Sequence, residues 1–116
     1  MFHHNADAAA LGVFQAVKES PGAYIFGANL DQRALAPGRV PGSAIIDLPR
    51  ALLTVAREVQ HGGFTPHVES FGLKSRVIEY VADSTIEATL PAAIRQKIQI
   101  ARDSIIAADS LSASAP

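Results

Sequence analysis

The sequence predicts an α/β fold, a single three-layer lobe built on a mostly parallel sheet. Three observations carry that expectation. Short apolar runs alternate with segments of helical periodicity, and strands that alternate with helices pair in parallel. Each run leads into a small polar cluster: Met1-Phe2 into His3-His4-Asn5-Ala6-Asp7, Ala23-Tyr24-Ile25-Phe26 into Gly27-Ala28-Asn29-Leu30-Asp31-Gln32, and Ala44-Ile45-Ile46 into Asp47. Finally, 116 residues that are 48% hydrophobic and 18% charged are enough for one globular domain with a core. Ligands of such sheets bind beyond the carboxyl ends of the strands. The polar clusters stand at those ends, so a small-molecule site is expected along that edge.

The first run gives way to a helix over about Ala8 to Lys18, with Asp7 as its N-cap and Leu11, Val13, Phe14 and Val17 as its apolar residues. Pro21-Gly22 returns the chain to a second strand, and Pro37-Gly38 marks the loop before a third, about Arg39 to Ile46. Pro41 and Gly42 leave only the second half of that strand to pair regularly. The helix of about Leu48 to Gln60 has the clearest pattern. Leu48, Ala51, Leu52, Val55, Ala56 and Val59 recur at helical spacing, Asp47 caps it, Pro49 fits its first turn, and Gly62-Gly63 end it. Pro66 to Phe71 and Arg76 to Val81 read as a C-terminal hairpin joined by Gly72-Leu73-Lys74-Ser75. A last helix, about Pro91 to Ala107, carries Leu90, Ile94, Ile98, Ala101 and Ile105 on one stripe. The expected organisation is a domain over residues 1–108 and a disordered, Ser/Ala-rich tail over 109–116.

Charge and composition exclude several roles. Ten basic residues against eleven acidic ones leave a formal net charge of −1, which is no footprint for nucleic acid or an anionic membrane. Cysteine is absent, so disulfides and thiolate metal sites are excluded. No apolar stretch approaches the roughly 18–20 residues of a membrane helix, and no signal-peptide pattern opens the chain.

The candidate ligand-binding residues are His4, Asn5, Asp7, Asn29, Asp31 and Asp47, all in the strand-end clusters. Short amide and carboxylate side chains at such an edge suit a sugar or polyol, whose hydroxyls both donate and accept. The same residues also serve local duties. Asn29 and Asp31 can satisfy loop backbone, while Asp7 and Asp47 can simply cap helices. No metal site is expected from the four histidines, since His3 and His4 point to opposite faces of a strand and His61 and His67 lie beyond the other end of a helix. Catalysis lacks a constellation. There is no nucleophile elbow, P-loop or dinucleotide fingerprint, and Glu58, Glu69, Glu79 and Glu87 fall on separate segments. No cofactor is implied.

Three segments give the chain a family likeness. They are Asn5 through Glu19, Phe26-Gly27-Ala28-Asn29-Leu30-Asp31-Gln32, and Ser43-Ala44-Ile45-Ile46-Asp47, followed by the Gly63-Phe64 stop and the Leu90-Pro91 to Ile106 helix. In this order and spacing the chain resembles the basic membrane lipoprotein family, the substrate-binding proteins of nucleoside-type ABC transporters, over most of residues 5–107. The second segment is similar to the family's Gly-Val-Asp-Ser-Asp-Gln and the third to its Ser-Val-Val-Lys-Asn. The resemblance is to the C-terminal lobe of a two-lobed, type I periplasmic-binding-protein-like (Rossmann-like) fold. Where the family often has an aspartate on ribose hydroxyls, this chain has Asn29, and Ile46 stands where it often has a lysine.

The resemblance implies a substrate-binding lobe for a nucleoside or related small polar solute, incomplete as a cleft, with ABC-transporter membrane subunits as partners. It implies a periplasmic or membrane-anchored setting and no enzymatic activity. The alternatives are a homodimeric interaction module, using apolar surface a first lobe would cover, and a small flavodoxin-like enzyme.

Overall fold

The structure, a computed structural model, describes residues 1–112. It is an α/β lobe with four strands, β1 (Phe2–His3), β2 (Ile25–Asn29), β3 (Gly42–Ile46) and β4 (Ile78–Ala82), in the order β1-β2-β3-β4. The helices are α1 (Ala10–Glu19), α2 (Leu48–Gln60), α3 (Ser84–Thr89) and α4 (Ala92–Ser112). β1, β2 and β3 are parallel, with Phe2 opposite Ile25 and Gly27 opposite Ser43. β4 runs the other way beside β3. Asp47 N–H donates to Val77 C=O at one end of the pair, and Asp83 N–H donates to Pro41 C=O at the other.

The described chain divides into two compact units, residues 1–45 with 80–97 and residues 46–79 with 98–112. The first holds the core. Ala10, Phe14 and Val17, on one face of α1, pack with Ile25, Ala36 and Val40, all 1% exposed or less. Burying a residue such as Phe14 is worth about 1.5–3 kcal/mol. Gly27 sits in the middle of β2 because a Cβ there would overlap the Oγ of Ser43 on the neighbouring strand. In the second unit Asp47 caps α2, its Oδ1 accepting from Arg50 N–H at 3.0 Å, and Gly62, at φ +69°, ends the turn after it.

Several expectations change. Asp7 does not cap α1. A 3₁₀ turn over Asp7–Ala9 precedes that helix, whose N-cap is Ala9, which makes no side-chain capping bond. The hairpin is replaced by one strand. Residues 66–71 form no ladder, because Pro66 offers no N–H and β4 takes β3 as its partner. α3 is an addition, capped by Asp83, which accepts from the N–H groups of Thr85 and Ile86. α4 continues through Ser112, so 109–112 are helical where a tail was expected, and residues 113–116 lie outside the described residues.

Candidate functional site

The ends of β1 and β2 meet because their ladder is parallel and in register, so the residues after His3 emerge beside the end of β2. A shallow cleft of about 240 Å³ opens there, lined by His4, Asn5, Asp7, Ala28, Asn29 and Gln32, with Ala6 and Leu30. Backbone geometry shapes it. Asp7 (φ +42°) and Asn29 (φ +68°) are both left-handed, a conformation that Asp and Asn tolerate better than other residues bearing a Cβ. At Asn29 this turns the chain off the sheet, and Leu30 N–H bonds back to Ala28 C=O at 2.9 Å. The Asn29 amide then reaches Asp7 Oδ1 at 3.5 Å.

The floor of the cleft is a hydrogen-bond relay. His4 is 8% exposed and packs edge-on against Phe14, with ring centroids 5.4 Å apart. Its Nε2 lies 2.9 Å from Gln32 Oε1, an oxygen that only accepts, so Nε2 carries the ring proton. That oxygen also takes the Ala28 N–H at 2.9 Å, and the Gln32 N–H donates to the buried Ser43 Oγ at 3.1 Å. With Nε2 protonated, His4 Nδ1 is a lone-pair acceptor, and it is buried without a hydrogen-bond partner. An unmet buried acceptor costs about 1–3 kcal/mol.

His4, Asn5, Asp7 and Asn29 are thus brought to one cleft. Asp31 faces elsewhere. Its carboxylate is 2.7 Å from the Arg33 guanidinium and 3.5 Å from Ser43 Oγ, and Arg33 also donates to Ala82 C=O at 2.8 Å. The bond from Arg33 holds the Asp31 carboxyl below its ordinary range, against a smaller desolvation effect. Asp47 belongs to the second unit, where it caps α2 and pairs with Arg50 at 3.1 Å. There it lines a separate depression of about 460 Å³ with Arg50, Thr54, Arg57 and Ser75. Gln32 is the residue that sequence reasoning passed over. It lies in the second polar cluster, but its importance depends on a buried histidine 28 positions earlier in the chain.

An α/β lobe whose parallel strands end in hydrogen-bonding side chains around an open cleft has its ligand-binding edge at those strand ends. The chain belongs to the Bmp family, the PnrA-like substrate-binding proteins of ABC transporters, whose sequence pattern matches residues 1–110. Among solved structures, the chain is similar to a transcriptional activator of the comK gene from Bacillus halodurans, with a TM-score of 0.75 and 21% identity. The match covers 90% of this chain and 36% of that one, a likeness of fold alone. No curated protein matches. No helix among the described residues is long and apolar enough to cross a membrane.

Proposed function

We propose that this chain supplies one wall of a solute-binding cleft, and that the solute is a nucleoside or a related small polyol delivered to the membrane subunits of an ABC transporter. The observation that carries this reading is the strand-end cleft lined by His4, Asn5, Asp7, Asn29 and Gln32. Asp7 accepts from hydroxyls, while the Asn5 and Asn29 amides donate and accept, which matches the mixed demands of ribose. Binding without turnover, on the periplasmic or outer face of a membrane, is the corresponding role.

At about 240 Å³ the cleft falls short of the roughly 300–1,000 Å³ that encloses a drug-sized ligand. The chain alone is therefore expected to bind purine nucleosides weakly, with Kd above about 0.1 mM. Titration with adenosine, guanosine and inosine, followed by amide NMR shifts, tests this. Saturable shifts at His4–Asp7 and Ala28–Asn29, lost in Asp7→Ala, support the reading. No shift there would refute binding, and sub-micromolar affinity by calorimetry would refute the single-wall description.

Self-association is a second reading, favoured by exposed apolar stripes. Leu48, Leu52 and Val59 on α2 are 60%, 65% and 57% exposed. Ile94, Ile98 and Ile105 on α4 are likewise open to solvent. A homodimer covering such surface would appear as a doubled mass in light scattering, and a clean monomer at high concentration would count against it.

A further inference from the structure

We propose, given that the strand-end cleft is the solute site, that the side-chain amide nitrogen of Gln32 selects a fixed acceptor on the solute, a carbonyl oxygen or ring nitrogen such as a nucleobase carries. Every other polar group of Gln32 is already engaged. Its backbone N–H donates to the buried Ser43 Oγ at 3.1 Å, and its C=O accepts from Leu35 N–H at 3.0 Å. Oε1 accepts twice, from Ala28 N–H and from His4 Nε2–H, each at 2.9 Å. Two donors fill both lone pairs of a carboxamide oxygen. Nε2 alone has no partner among the described residues, and unlike His4 Nδ1 it is open to solvent. Gln32 lines the cleft, so its one unfilled group is a donor available there.

The direction of the amide is dictated by its partners. Ala28 N–H can only donate, so oxygen and not nitrogen must face it. Turning the carboxamide over would set two donors against each other and leave the Ala28 N–H unmet. The side chain is thus held at its root by Ser43 and Leu35 and at its tip by Ala28 and His4. A group ordered before the solute arrives gives up little rotamer freedom on binding it.

What Gln32 offers differs from the rest of the cleft. Asn5, Asn29 and Asp7 between them both donate and accept, which serves hydroxyls. With its oxygen filled, Gln32 can only donate. A hydroxyl rotates to suit either kind of partner, so a donor-only group barely distinguishes one hydroxyl from another. A carbonyl oxygen or ring nitrogen has no such freedom. A solute that brings an N–H or a C–H to the same point leaves the amide unmet, and sites discriminate most strongly through polar groups left unpaired by the wrong ligand. Gln32 therefore acts on the base of a nucleoside rather than on its sugar.

Gln32→Glu is the matched variant. One carboxylate oxygen still accepts from Ala28 and His4, while the other stands where the NH₂ group was and turns a donor into an acceptor. The probe is inosine, which is uncharged, titrated into the full chain. In amide NMR spectra of the parent chain, inosine should move the Gln32 side-chain NH₂ signals together with the backbone signals of Asn5–Asp7. In Gln32→Glu the Kd for inosine should rise about fivefold or more, with the Ala28 amide still protected from hydrogen exchange because its bond to side chain 32 is kept. Backbone shifts at Asn5–Asp7 with stationary Gln32 NH₂ signals would overturn the role of Gln32 and leave the cleft reading standing. So would undiminished inosine binding by Gln32→Glu. No shift at either place would overturn both. Should Gln32→Glu fail to fold, the NH₂ signals of the parent chain decide alone.

Discussion

Asp31 and Gly27 show how single residues divide between site and scaffold. Asp31 is held ionised by Arg33, so its folded pKa lies below its ordinary value of 3.8. The unfolded chain therefore binds more protons around pH 3–4. The stability this pair contributes is present above about pH 4 and is lost as pH falls through the lowered folded value. With the Asp31 side chain 38% exposed, the effect is small. Urea midpoints measured from pH 5 to pH 2 should fall less steeply in Asp31→Asn than in the parent chain. Gly27→Ala places a Cβ on Ser43 Oγ and 2.9 Å from Ser43 Cβ. We expect a loss of about 1–3 kcal/mol in urea unfolding, recovered in part by adding Ser43→Gly. Because Ser43 anchors Gln32 and Gln32 anchors His4, Gly27→Ala should also disturb the His4 ring resonances. The polar strand ends were legible as residues, since short amides and carboxylates after apolar runs are visible in one dimension. The relay through Gln32 was not, because it depends on register between strands.

Among the elements, α2 and α4 show what periodicity can and cannot decide. The α2 span, its Asp47 cap and its Gly-Gly stop were all readable, as each rests on local backbone chemistry. Asp47→Ala removes the bond from Arg50 N–H and is expected to cost about 1 kcal/mol, measured by thermal or urea unfolding. The buried side of α2 is another matter. Ala51 is 7% exposed and Thr54, Val55 and Glu58 are half-buried, while Leu48, Leu52 and Val59 face solvent. Among the α4 positions whose burial is described, the partly buried ones are Ile106 and Asp109, off the stripe that the spacing predicted. Helical spacing says which residues share a face, but the facing partner decides which face is covered. Strands are subject to the same limit. The segment 66–71 is apolar enough in places to read as extended, yet a ladder needs free N–H groups and an available edge, and β3 had already paired with β4.

For the whole molecule, the α/β class and parallel core followed from strand–helix alternation, and the family likeness followed from the order of its segments. The direction of β4 did not, since a long connection can return a strand either way. The exposed stripes belong to this scale too. Replacing Leu52 with Glu, and separately Ile98 with Glu, should shift any concentration-dependent mass in light scattering toward monomer while leaving far-UV circular dichroism unchanged. The bridge from Arg33 to Ala82 C=O, 2.8 Å long and spanning 49 residues, has a consequence for the order of folding. The β1-α1-β2 and β2-β3 contacts close short loops, whereas Arg33 finds its carbonyl only after a loop of 49 residues has closed. That bridge is expected to form on the late side of the barrier. Arg33→Lys should speed unfolding and leave the refolding arm of the chevron nearly unmoved, making this guanidinium a latch on how long the native state lasts.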